Sequence, residues 1–143
     1  MIAACVVDAS VGIKLFLQEE GSDQAARLFQ ELARDSSARF YVPDLFFVEC
    51  ANVLWKYARR FDYPVENARQ DLVDLRALAL RSVSTADLIS PALELAFQHE
   101  ITAYDACYLA LSEQIQLPLI TSDQRLIRKI SDSGVEVLRL DQL

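Results

Sequence analysis

Cysteine and histidine, the usual makers of zinc sites and thiol nucleophiles, are almost missing from this chain. Its 143 residues include three cysteines and one histidine. Cys5, Cys50 and Cys107 lie far apart, each inside an apolar segment and without Cys-x-x-Cys spacing, so they read as reduced, buried small residues rather than thiolate ligands. His99 falls near the end of a predicted helix with no second histidine to help it, and a surface or helix-end role is expected. Glycine and proline are scarce, three and four residues, and they punctuate the chain rather than fill it. There is no internal repeat, low-complexity tract or linker. Nor is there an apolar run long enough to span a bilayer. The short apolar run near the N-terminus has no basic segment before it, so it reads as a strand and not a signal peptide, and a cytoplasmic location is expected. Positive charge is also short: 14 Lys and Arg face 21 Asp and Glu, a net charge of −7. That argues against a generic nucleic-acid coating protein. The objection weakens where several acids share a cation, because the bound ion reverses the local charge.

What is present is a hydrophobic fraction of 52% with 24% charged residues, ordinary for a compact protein, and one domain over residues 1–143 is expected. Strands are predicted at 2–7, 39–42, 82–85, 118–121 and 135–138. Helices are predicted at 10–19, 22–35, 44–61, 65–80, 86–99, 103–116 and 123–132. Breaks at Gly21-Ser22, Pro43-Asp44, Tyr63-Pro64, Leu117-Pro118 and Ser133-Gly134 separate them. Strands alternating with helices imply parallel pairing by right-handed crossovers, hence an α/β sandwich. Ligands of such sheets bind beyond the carboxyl ends of the strands, where strand order reverses. Asp8 follows the first strand directly, in "VVDAS", and Asp123 follows the fourth in "LPLITSD". If those strands are neighbours, the two carboxylates face one another.

Each acid has an ordinary explanation. Asp8 is placed to cap the next helix with help from Ser10, and Asp123 to cap QRLIRKIS. Thr102 and Asp105 have the spacing of a capping box in "TAYDACYLAL". Glu49 escapes this explanation because it lies well past the first turn of DLFFVECANVLWKYARR. It shares a helical stripe with Asn52 and Lys56, flanked by Arg59 and Arg60. Three aspartates at helix starts would converge at one end of the sheet, with Glu49 reaching them from an adjacent helix. Crowded carboxylates repel unless a cation neutralises them. Hard divalent ions accept all-oxygen shells, and a pair of them supports phosphodiester cleavage without cysteine or histidine.

At these residues the chain resembles the PIN-domain family, particularly the VapC-type toxins of bacterial and archaeal toxin–antitoxin pairs. The matching pieces are "VVDAS", "VPDLFFVECANVL", "TAYDACYLALS" and "LITSDQRLI", in that order over essentially the whole chain. The resemblance implies a three-layer sandwich with a five-stranded parallel sheet, order 3-2-1-4-5, flanked by helices. It implies that Asp8, Glu49, Asp105 and Asp123 bind Mg²⁺ or Mn²⁺ and are catalytic, with Ser10, Thr121 and Ser122 in support. It implies an endoribonuclease that forms a homodimer and is held in check by a VapB-type antitoxin. Candidate RNA contacts are Lys14, Lys56, Arg59, Arg60, Arg125, Arg128 and Lys129.

Most of the aromatic residues fall between positions 40 and 63. Helix 44–61 is apolar on too many sides for a one-faced surface helix; some of that surface is expected to be core, and part of Phe46, Phe47, Trp55 and Tyr57 to contribute to an antitoxin groove. The rival reading is a catalytically silent PIN-like module that binds only protein or RNA. A receiver-like phosphoacceptor is set aside, because Asp8 stands alone after its strand and "VEVLRLDQL" lacks a lysine.

Overall fold

In the computed structural model, which describes residues 2–143, β1 (Ala4–Val7) lies at the centre of a sheet. The single-domain span expected from the sequence includes Met1, which lies outside the described residues. After β1 come a short helix α1 (Ala9–Gly12), a 3-10 turn at Ile13–Leu15, and α2 (Ser22–Arg34). Next are β2 (Arg39–Pro43), α3 (Leu45–Arg60), α4 (Val65–Ala77) and β3 (Arg81–Val83). The chain continues through α5 (Thr85–His99), α6 (Ala103–Ile115), β4 (Leu119–Thr121), α7 (Gln124–Lys129) and β5 (Val137–Arg139). The sheet order is β3-β2-β1-β4-β5 and every pairing is parallel. The order expected from the resemblance is therefore the one found. No helix among the described residues is long and apolar enough to cross a membrane.

The central strands are apolar runs because helices cover both of their faces. Cys5, Val6, Val7, Leu119, Ile120 and Thr121 are all fully buried. The sheet steps one way from β1 to β3 and the other way from β4 to β5, which puts right-handed crossovers on both faces. Helix α6 packs on β1, β2 and β4 and alongside α5. Its residues Ala106 to Ser112 are buried without interruption, so it is a core helix rather than an amphipathic surface one. Gly12 lets the ring of Phe46 lie against the α1 backbone: a Cβ at that position would come within 2.5 Å of the ring.

Several expectations need correction. The predicted helix 10–19 is only α1 and the 3-10 turn. The chain leaves the helix so that Leu17 can enter the core, while its carbonyl accepts from the Ser22 hydroxyl at 3.1 Å. The predicted helix 65–80 stops at Ala77 because Leu78 turns extended to feed β3. Phe46 is wholly buried against Gly12 and belongs to the core, not to a groove. Phe47 stands edge-on to it and is half-buried. His99 ends α5 as expected, but it is buried, with Nδ1 3.5 Å from a carboxylate oxygen of Asp132.

Candidate active site

Parallel register explains the first contact. Val6 pairs with Leu119 and Val7 with Ile120, so the next step sets Asp8 beside Thr121. The Asp8 backbone N–H donates to the Ile120 carbonyl at 3.0 Å and extends this pairing past the strand end. Asp8 occupies the N-cap position of α1, yet its side chain makes no cap bond. It accepts instead from Ser10 Oγ at 2.6 Å and from Thr121 Oγ1 at 2.8 Å, both at Oδ2. The capping expectation for Asp8 is thus corrected: the hydroxyls hold its carboxylate toward the rim between β1 and β4.

The same hydroxyls tie in the loop after β4. Thr121 Oγ1 accepts from the Asp123 N–H at 3.0 Å, and Ser10 Oγ accepts from the Ser122 N–H at 3.1 Å. The Ser122 hydroxyl donates to the Ser10 carbonyl at 3.3 Å. Asp123 does cap α7, its Oδ1 accepting from the Leu126 N–H at 3.1 Å. Thr102 caps α6 through the Asp105 N–H at 3.1 Å, which sets Asp105 in the first turn of that helix.

Glu49 reaches the site because α3 starts at the rim. Asp44, at the head of that helix, is tied to the β3–α5 junction by accepting from the Thr85 backbone N–H and hydroxyl. One turn further on, Glu49 Oε1 accepts from the Tyr108 hydroxyl at 2.7 Å. Sequence reasoning missed Tyr108, which is fully buried and looks like any core aromatic. A signal was there: Tyr108 stands three residues after Asp105 and so shares its helical face.

Three of these carboxylates are pushed up by burial and by their neighbours' charges. Burial, the largest effect, pushes Glu49 up to about 7, with the charges of Asp8 and Asp105 adding to it and the Tyr108 hydrogen bond opposing. Burial, then the charges of Asp8 and Asp123, push Asp105 up to about 6, with Thr102 and Arg125 pulling back. Asp8 is also raised, by burial and by Asp123, against the Ser10 and Thr121 hydroxyls. As the side chains stand, no three His, Cys, Asp or Glu groups among the described residues close around a common ion position. Asp8, Glu49 and Asp123 are each turned to a hydrogen-bond donor of the protein. The donor chemistry of this set, carboxylate oxygens without cysteine or histidine, fits a hard divalent cation.

The seven expected RNA contacts do not share one surface. Arg125 and Lys129 line a pocket of about 120 Å³ together with Asp105 and Asp123. Lys14 is corrected out of the set. Its side chain is 13% exposed, and Nζ is engaged by Glu19 at 3.0 Å and by the Glu20 carbonyl at 2.7 Å. Arg59 lies over the Trp55 ring, 5.2 Å from its centroid, beside the groove between α3 and α4. Lys56, Arg60 and Arg128 are exposed and line none of these sites.

A parallel sheet with this order and an acidic rim at the switch point defines a class, and the comparisons agree. The PIN domain family model matches residues 5–132, and the chain belongs to that family. Ribonuclease VapC3 of Pyrobaculum aerophilum is 39% identical over 126 residues, spanning 87% of this chain and 92% of that protein. The crystal structure of PAE2754 from Pyrobaculum aerophilum superposes with a TM-score of 0.72 at 22% identity, covering 99% of this chain and 94% of the other. A toxin–antitoxin complex from Klebsiella pneumoniae gives a TM-score of 0.64 at 16% identity, over 95% and 97% of the two chains. At such identities these two structures speak to the fold.

Proposed function

We propose that this protein is a metal-dependent endoribonuclease and the toxin of a VapBC-type toxin–antitoxin pair. The observation that carries the reading is the gathering of carboxylates at the carboxyl end of β1 and β4: Asp105 and Asp123 line one pocket, and the charges of Asp8 and Asp105 reach Glu49. The 39% identity to a protein named a ribonuclease supports the choice of RNA. A Mg²⁺ or Mn²⁺ ion held by these four residues would supply an activated water and offset charge on the leaving oxygen of the phosphodiester.

The chain's own part in this is positional. Ser10 and Thr121 fix one oxygen of Asp8 and leave the other free for a ligand. Tyr108 does the same for Glu49, and the Leu126 N–H does so for Asp123. Hydroxyl and hydroxyphenyl donors of this kind orient metal-binding carboxylates and raise their affinity for the ion.

An apolar groove of about 400 Å³ between α3 and α4, lined by Leu54, Trp55, Val65 and Leu72, suits a helical segment of a VapB-type antitoxin. The uncharged exposed face of α5 formed by Ile89, Leu93 and Phe97 suits a second copy of the chain in a homodimer. A cytoplasmic location is in keeping with this reading.

The test is cleavage of mixed RNA by purified, antitoxin-free protein with Mg²⁺ or Mn²⁺, then with chelator, beside Asp8→Asn. Cleavage that needs the cation and falls at least about 100-fold in the variant supports the reading. A folded protein that binds the ion yet leaves every RNA intact would point to the silent binding module.

A further inference from the structure

A strand of RNA brings more negative charge to a rim that already holds four carboxylates, so some cation must receive its backbone. Cations near the cluster are few and mostly engaged. Lys14 is bound to Glu19 and to the Glu20 carbonyl. Lys129 donates to the Glu100 carbonyl at 2.7 Å, closing one wall of the pocket it shares with Asp105 and Asp123. Arg125, exposed on the same wall, makes no hydrogen bond or ion pair through its guanidinium among the described residues. Its charge acts on Asp105, so the guanidinium stands within electrostatic reach of the cluster. The pocket, about 120 Å³, opens directly beside Asp105 and Asp123. A planar guanidinium offers paired donors that match two phosphate oxygens.

We propose that Arg125 grips a backbone phosphate next to the one being cut, seated in the pocket between α7 and the α5–α6 turn, and so sets the path of the RNA across the carboxylates. This inference rests on the ribonuclease reading. It makes Arg125 a substrate-binding residue, with Lys129 as the brace that keeps the pocket open against Glu100.

A merely electrostatic role for Arg125 gives a different signature. Removing a positive charge beside the acidic cluster should tighten divalent-cation binding, whereas removing a phosphate ligand should weaken RNA binding. The two effects have opposite signs. We would measure RNA affinity by anisotropy of a labelled single-stranded RNA of mixed sequence, with Mg²⁺ present and in an Asp8→Asn background that prevents cutting. Mn²⁺ affinity would be measured by calorimetry in the Asp8-containing protein without RNA. Arg34→Gln removes the same charge near the other end of the sheet, in the last turn of α2, and serves as the control.

The expected result for Arg125→Gln is RNA affinity down about tenfold, with the slope of log affinity against log salt shallower by about 0.7, and Mn²⁺ affinity unchanged or tighter. Arg125→Lys should recover only part of the RNA affinity, because the charge returns without the fork. In cleavage assays, KM should rise more than kcat falls. Unchanged Mn²⁺ binding also shows that the variant is folded. If wild-type protein cuts RNA while Arg125→Gln binds it as tightly as Arg34→Gln does, this inference falls and the ribonuclease reading stands. If wild-type protein neither binds nor cuts RNA, both fall.

Discussion

The Tyr108 hydroxyl, fully buried on α6, donates to Glu49 Oε1 on α3 across 2.7 Å. Two helices that approach the rim from different parts of the chain are thereby joined at Glu49. Replacing Tyr108 by Phe keeps the packing and removes only the donor. Glu49 then loses its orienting partner, and the expected result is about a tenfold loss of Mn²⁺ affinity with a stability cost of about 1 kcal/mol. Calorimetric titration and thermal melts check the two parts. Full Mn²⁺ affinity in Tyr108→Phe would mean that Glu49 is held by other means.

The rim also sets a pH dependence for the metal-free protein. Glu49 is pushed up to about 7 and Asp105 up to about 6, chiefly by burial and then by neighbouring carboxylates. The native state therefore keeps protons that the unfolded chain has already released. Their contribution to stability is complete below the ordinary carboxylate range and is lost as pH rises through about 6 to 7. Asp44 and Asp35, held low by their hydrogen bonds, work in the opposite direction, but at more acidic pH. Melts in chelator should give a lower Tm at about pH 8 than at about pH 5, and Mg²⁺ or Mn²⁺ should reduce the difference. A chelated protein that is more stable at the higher pH would contradict the coupling described for the cluster.

Gly12 carries a packing test that is independent of the chemistry. An added Cβ would stand 2.5 Å from Phe46 Cζ and 2.7 Å from Phe46 Cε2, so the ring or the α1 backbone must shift. Gly12→Ala should cost about 1–3 kcal/mol in denaturant titrations. Shortening the ring in Gly12→Ala/Phe46→Leu should return part of that loss. A double variant no more stable than the single one would show that Phe46 is not the group in the way.

Much of this arrangement is legible in the sequence, for identifiable reasons. An apolar strand ending on a carboxylate locates Asp8 and Asp123, and a polar residue deep in an apolar helix locates Glu49. Tyr108 is not legible in that way, because a buried phenol that orients an acid has the pattern of a buried phenol that only packs. Which of Phe46, Phe47, Trp55 and Tyr57 faces the core is not legible either, for a related cause. The apolar excess of α3 divides between the core under Gly12 and the groove at Trp55, and periodicity alone does not apportion it. Lys14 looks like a free cation until the loop after the 3-10 turn folds back and brings Glu19 and the Glu20 carbonyl to it. Contacts created by a loop's return path have no periodic signature.

The central claim is that Asp8, Glu49, Asp105 and Asp123 together hold a divalent cation. Calorimetric titration of Mn²⁺ into the wild type and into Asp8→Asn, Glu49→Gln, Asp105→Asn and Asp123→Asn tests it most directly. The expected result is binding by the wild type and at least about a tenfold loss in each variant, with every variant still folded. A wild type that takes up no Mn²⁺, or four variants that bind it as the wild type does, would contradict the account.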